Sequence, residues 1–280
     1  PHPGGRLGGA EFPGDGANRM QEADGLTRSA GRIAIGVEAL PEVARFAHVN
    51  QAIDFVAHEG TVAVVPHLIA QDWLHCHYRD KALMLARGIS PELFFQSFFC
   101  KDASHSCGRQ LPPMMSAPAL NILSIVGPVG NNALQAVGVA SVIRAQAEAP
   151  IVLCSLGDGT TQQGEVLEAI AHAVRDQLPV LFLIHNNHYA ISTITRGKTF
   201  FSHPDGKPET FYGLKVNWIN GRDVLSADQE FGQIVTKIRT DRQPAIVVFD
   251  VARLSNHTNA DDQSVYRSQA EIDQAWATGD

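Results

Sequence analysis

The chain has 280 residues, 44% of them hydrophobic and 18% charged, with a formal net charge of −7 at pH 7. That is enough apolar material for one large α/β domain, or for a core domain with extensions. The acidic balance excludes a general nucleic-acid-binding protein, which needs a basic surface, and no apolar run approaches the roughly 20 residues of a membrane span.

Residues 1–31 are rich in Gly, Pro and polar residues and lack the apolar stretch of a signal peptide. They are expected to be a disordered extension or a cloning remnant, with Met20 a candidate natural start. Residues 32–280 read as one α/β domain. Arg32 to Ala57 fits strand and helix equally. Lys81 to Arg87 reads as a helix closed by Gly88. Ser90-Pro91-Glu92 opens another, with Ser as N-cap and Pro in the first turn. Phe94, Phe95, Phe98 and Phe99 are expected on its buried face. His75 and His77 flank Cys76 and read either as a metal pair or as ordinary packing, with packing preferred. Cys76, Cys100, Cys107 and Cys154 have no paired metal spacing and read as free thiols. Asp102 to Leu120 is a long irregular loop, a kind of segment that often carries function. Asn131 to Ala147 reads as a helix rich in small residues, suited to close packing.

From here strands and helices alternate. Ile151–Leu156 is a continuous apolar run, as expected of a strand buried on both faces. Gly164–Asp176 has apolar residues at helical spacing. Val180–Ile184 is the next buried strand and Leu214–Ile219 a third. Asp223 can cap a helix to about Thr240, and Ala245–Val251 is a fourth strand before the polar loop Leu254–Ser264. This alternation argues an α/β fold with a doubly wound parallel sheet. Ligands of such sheets sit beyond the carboxyl ends of the strands. Gly157, Asn186 and His257 all follow strand ends and are expected at one rim.

Asp158 offers a carboxylate between two glycines that let backbone approach a ligand. Asn187 supplies an amide oxygen, and the chain at Tyr189 can add a carbonyl. With phosphate oxygens these form a credible magnesium set. Gly-Asp-Gly alone is most often a tight turn and Asn-Asn alone a loop. The two on successive strand ends are more specific. No Gly-x-Gly-x-x-Gly follows a strand, so a dinucleotide site is not expected.

Gly157-Asp158-Gly159 followed by Asn186-Asn187 resembles the thiamine diphosphate motif. Further segments are similar to the α subunit of the decarboxylating component of 2-oxoacid dehydrogenase complexes. They are Tyr78-Arg79-Asp80, Gly108-Arg109-Gln110-Leu111-Pro112, Gln135-Ala136-Val137-Gly138, Asn187-His188-Tyr189-Ala190-Ile191-Ser192-Thr193, and His257 through Tyr266-Arg267-Ser268. The match runs in order from about Thr61 to Ser268, and its last two segments lean toward the branched-chain member.

The resemblance implies the thiamine diphosphate-binding fold, in its diphosphate-binding half. Asp158, Asn187 and the Tyr189 carbonyl would hold Mg2+. Arg79 would pair with the diphosphate, with Tyr78, Gly157, Gly159, Thr160 and His185 nearby. Gly127 and Val129 would meet the aminopyrimidine, and His257 would act near the reacting carbon as the catalytic residue. The implied reaction is oxidative decarboxylation of a 2-oxoacid, branched-chain preferred, with acyl transfer to a lipoyl group of an acyltransferase core. Pyruvate or acetoin is the alternative substrate, and a non-catalytic homologue the alternative class. The glutamate that activates the aminopyrimidine would come from a β subunit in a heterotetramer. The chain would then be inactive alone, and either truncated at Asp280 or the front of a fused α–β polypeptide. The implied compartment is cytoplasmic, or the mitochondrial matrix in a eukaryote.

Four positions depart from the family. His185 replaces an Arg that binds phosphate, which predicts weaker or pH-dependent phosphate affinity. Met114 replaces a His. Val126 replaces a Ser of a potassium site. Thr258 takes the place of a regulatory phosphoserine, although it reads first as a plain loop residue.

Overall fold

The computed structural model describes residues 58–111, 114–258 and 260–279. The expectations for residues 1–31, for Arg32–Ala57 and for Pro112 lie outside these. All described residues fall in one compact unit, Leu40–Asp280.

After a 3-10 segment, Glu59–His67, the elements are β1 (Trp73–His75), α1 (Lys81–Arg87), α2 (Pro91–Phe98), α3 (Asn131–Ile143), β2 (Val152–Gly157), α4 (Gly164–Asp176), β3 (Val180–Asn186), β4 (Tyr189–Ala190), β5 (Thr193–Ile194), β6 (Thr210–Phe211), β7 (Leu214–Asn220), α5 (Val224–Asp241), β8 (Ala245–Asp250) and α6 (Gln269–Thr278). The result is a mixed α/β fold. Its six-stranded sheet has the order β1-β2-β3-β8-β7-β6. Every pairing is parallel except that of β6 with β7. None of the described helices is long and apolar enough to cross a membrane.

Alternation along the central strands sorts their side chains into two cores. Leu153, Leu181, Leu183, Val247 and Phe249 pack on one face with Phe231 and Val235 of α5. Val152, Cys154, Phe182, Ile184, Ile246 and Val248 pack on the other with Ala136 of α3 and Ile170 of α4. Both faces are covered, which is why these strands read as unbroken apolar runs.

Helix ends follow the expected chemistry. Ser90 Oγ accepts from Leu93 N–H at 3.1 Å, and Asp223 Oδ1 from Ser226 N–H at 3.0 Å. Gly88, with φ +121°, closes α1. Three features differ from expectation by more than a residue or two at a strand end. β1 has no strand signal in the sequence, because three residues carry too little pattern. α3 stops at Ile143 and the chain then tightens through turns (Gln146 N–H to Ile143 O, Ala149 N–H to Gln146 O) into Pro150. Of the four phenylalanines, Phe94 is buried but Phe99 is 49% exposed, since it sits at the C-cap of α2 beyond the packed face.

The entrance to the sheet is pinned by Asp72, which is fully buried. Its carboxylate accepts from the N–H groups of Ile69 and Ile151, both at 2.8 Å, and from the Arg239 guanidinium in a two-toothed contact. One side chain therefore ties the loop before β1, the start of β2 and the end of α5. Removing a buried partner leaves the other charge uncompensated. Asp72→Ala is expected to lower the unfolding free energy by about 3–5 kcal/mol in urea titrations. Asp241→Ala, which removes only an exposed contact to Lys237, should leave the midpoint in place.

Candidate functional site

Parallel register sets the site. Gly157 pairs with His185, and Asn186 with Asp250, so β2, β3 and β8 end in one row. Beyond β2 the chain makes the turn Asp158–Thr160. Beyond β3 it makes the hairpin β4–β5, which folds back over that turn. The approach is close: a Cβ on Gly159 would lie 2.5 Å from Ala190 Cβ, so only glycine fits there.

Asp158 is 3% exposed. Its Oδ1 accepts from Gly159 N–H and its Oδ2 from the Thr195 hydroxyl, both at 2.9 Å. Burial pushes its carboxyl up to about 6, against the Thr195 and Gly159 donors that favour the ionised form. No Lys, Arg or His nitrogen stands within ion-pair distance of it among the described residues. Asn187 is buried, and its Oδ1 accepts from Tyr189 N–H at 3.1 Å, leaving a second lone pair. Asn186, the first of the pair, is structural: its amide donates to Asp250 Oδ1 at 2.9 Å. The Tyr189 side chain is committed elsewhere, donating to Glu271 at 2.6 Å.

Arg79 and His257, 178 positions apart, meet at the same rim. The guanidinium lies 2.9 Å from His257 Nδ1. Arginine only donates, so Nδ1 is the acceptor and the neutral ring carries its proton on Nε2. Burial, then Arg79 and Arg253, push His257 down to about 4, against Asp261. Its imidazole is therefore neutral at pH 7. Arg79 also stacks over Tyr78 at 4.8 Å. Tyr78, Val129 and Thr160 line one cleft with His77, Leu156 and Gly130. Gly127 is exposed, and nothing in the described chain approaches within 4 Å of the position of its Cβ. It does not line that cleft.

His185 is not at the rim in the expected sense. It has the same parity along β3 as Leu181 and Leu183 and so points into their core, where it is 1% exposed. Its Nε2 lies 3.0 Å from Asp80 Oδ1 and 3.1 Å from Ser155 Oγ, and its Nδ1 is 2.8 Å from His58 Nδ1. Asp80 Oδ1 makes no hydrogen bond among the described residues, so its approach to His185 is an ion-pair distance and not a hydrogen bond. Neither ring nitrogen is left for a phosphate. The expected pH-dependent contact therefore has no direct basis, and any effect of His185 runs through Asp80, next to Arg79. His75 is also buried, bonded to Gln135 at 2.9 Å. No group of three His, Cys, Asp or Glu residues suited to a metal occurs among the described residues.

Two further residues have places in the site that the sequence does not announce. Thr195 holds Asp158, and its N–H also donates to His188 O at 3.0 Å. The signal was a short hairpin after Asn187, too brief to register as strands. His77 reads from the sequence as ordinary packing or as half of a metal pair, not as a residue of the cleft. Its place between a strand end and Tyr78-Arg79 was the better clue.

The loop bearing His257 is held by Asp261. Oδ2 of this carboxylate accepts from His257 N–H at 2.7 Å, Tyr266 OH at 2.6 Å and Arg253 at 2.8 Å. Burial pushes the carboxyl up, but the Tyr266, His257 and Arg253 contacts outweigh it and hold the pKa below its ordinary value. A depressed carboxylate stabilises at neutral pH and loses that contribution as pH falls through its folded pKa. Asp261→Asn is expected to raise amide exchange of residues 254–258 about tenfold or more at pH 7. The wild-type loop should lose protection only in acid, below the ordinary carboxylate range.

The sequence matches the family described as "Dehydrogenase E1 component" over residues 54–280. It is 32% identical over 210 residues to the 3-methyl-2-oxobutanoate dehydrogenase subunit alpha of Mycobacterium tuberculosis, covering 75% of this chain and 54% of that protein. It is 29% identical over 205 residues to the 2-oxoisovalerate dehydrogenase subunit alpha of Bacillus subtilis, covering 73% and 62%. The mitochondrial 2-oxoisovalerate dehydrogenase subunit alpha of Mus musculus is 27% identical over 219 residues, covering 76% and 48%. The chain thus spans about half the length of the curated relatives it matches.

Proposed function

The chain belongs to the dehydrogenase E1 component family, and from that premise we propose that it is the thiamine diphosphate- and Mg2+-binding α half of a 2-oxoacid dehydrogenase. The substrate would be a branched-chain 2-oxoacid such as 3-methyl-2-oxobutanoate, in keeping with the names of its relatives. The sheet would be the diphosphate-binding half of a doubly wound thiamine diphosphate fold.

One observation carries this reading. Asp158 is a buried carboxylate with two donors and, among the described residues, no cation within ion-pair distance, facing the Asn187 turn across a contact that only Gly159 permits. A divalent cation is the partner such a carboxylate lacks. Asp158, Asn187 Oδ1 and the Tyr189 carbonyl would hold it. Arg79 would grip the diphosphate with a charge-assisted pair, beside Gly157, Gly159 and Thr160. When bound, the cofactor supplies the electron sink for decarboxylation. The protein orients it and keeps water out. Neutral His257 would present Nε2–H as a hydrogen-bond donor to the reacting oxygen, with Arg79 fixing its tautomer. Tyr78 and Val129 would wall the cleft. Among the described residues no glutamate lines that cleft; a β subunit would be the source of the pyrimidine-activating acid. A lipoyl group on an acyltransferase core would accept the acyl unit. The compartment implied is the cytoplasm, or the mitochondrial matrix in a eukaryote.

Calorimetric titration of the α–β assembly with thiamine diphosphate and Mg2+ checks the site. Asp158→Ala should weaken affinity by about 100-fold or more. Thr195→Val should weaken it about tenfold, the worth of one hydrogen bond to a charged group, and Thr195→Ser should restore it. An Asp158→Ala affinity within a few-fold of wild type would overturn the metal assignment. In turnover assays of the same assembly, 3-methyl-2-oxobutanoate is expected to exceed pyruvate in kcat/KM; the reverse order would move the substrate to pyruvate.

A further inference from the structure

His77 is the cleft residue left without a task. It lies just past β1, at the rim beside the end of β2. Its backbone N–H donates to Asp80 Oδ2 at 2.7 Å, and its ring packs on Tyr78 with centroids 4.0 Å apart. Its Nδ1 accepts the N–H of Arg79 at 3.4 Å. With Nδ1 an acceptor, the neutral ring carries its proton on Nε2. That nitrogen borders the first glycine of the Gly157-Asp158-Gly159 turn. A Cβ on Gly157 would stand 3.4 Å from His77 Nε2 and 3.7 Å from Thr160 Oγ1. Two side-chain donors therefore edge the same space, next to a turn that exposes backbone N–H groups. No acceptor for Nε2–H occurs among the described residues.

We propose that His77 is a further anion-binding residue of this site, donating from Nε2–H to an oxygen of the cofactor's diphosphate. The inference rests on the thiamine diphosphate reading above and extends it to a residue outside the recognised motif. It also accounts for the departure at position 185. The imidazole of His185 is turned into the core, and the imidazole that reaches the cleft is His77. Both are tied to Asp80, His185 through its ring and His77 through its backbone. Burial, then Arg79 and the neighbouring histidines His185, His58 and His257, push His77 well below the ordinary imidazole range. It thus serves as a dipolar donor beside the charged Arg79.

The test uses the α–β assembly with Mg2+, titrated with thiamine diphosphate and, separately, with inorganic diphosphate as a competitor. His77→Phe keeps a ring against Tyr78 and removes the donor. It should weaken both ligands about tenfold. His77→Gln, which restores an N–H, should return both to within about threefold of wild type. Thermal midpoints of both variants check that the fold survives, and rescue by Gln excludes a packing effect. The proposal is overturned if His77→Phe binds both ligands like wild type, or if only thiamine diphosphate weakens, which would put the contact away from the phosphates. If Arg79→Ala and Asp158→Ala lose affinity while His77→Phe does not, this inference alone fails. If wild type binds no thiamine diphosphate, the functional reading fails with it.

Discussion

The parallel register of β2, β3 and β8 is the constraint on which the site depends. Pairing Gly157 with His185 and Asn186 with Asp250 makes three strands end together. Backbone that leaves a sheet edge has unpaired N–H and C=O groups, and these must be met by turns, side chains or ligands. Here the turn after β2 and the hairpin after β3 meet one another. Gly159 against Ala190 is the contact point, and a side chain there would push the halves of the motif apart.

That closeness has an electrostatic consequence. The rim collects buried carboxylates (Asp158, Asp80), buried guanidinium groups (Arg79, Arg253) and several imidazoles. Charges are costly to bury unless paired. The protein manages this unevenly. Arg79 is stacked on Tyr78 and faces the neutral acceptor of His257. Asp158 has hydrogen bonds but, among the described residues, no cation within ion-pair distance, and burial raises its pKa. A site in this state favours a ligand that brings both signs of charge, as a metal diphosphate does. Asp261 shows the contrasting case: three donors converge on it, its pKa falls, and it serves as a fastener for the loop of His257.

Much of this was legible in the chain. The helix Gly164–Asp176 was bounded correctly because its apolar spacing and flanking glycine agreed. The central strands were recognisable because burial on both faces erases any polar alternation. Short elements were not, since three residues at Trp73–His75 or two at Tyr189–Ala190 cannot show a period. Asp158, Asn187, Arg79 and His257 could be singled out by type and spacing, and the fold does bring Arg79 to His257. His185 could not be placed, because one step along a strand turns a side chain from rim to core. The places of Thr195 and His77 in the site are hidden for a related reason: each matters only through what the chain folds against it.

The sequence by itself determined the order of strands and helices, the glycine turn and the asparagine pair, because these depend on local pattern and residue chemistry. Family membership is carried by the same ordered motifs. The tertiary structure decided which side chains share the cleft. It turned His185 onto Asp80 and His58, left His77 facing Gly157, and set Thr195 on Asp158. The physical reason is that strand ends fix backbone positions to within a residue. The direction of each side chain is then settled by strand parity and by contacts from segments far away in the chain.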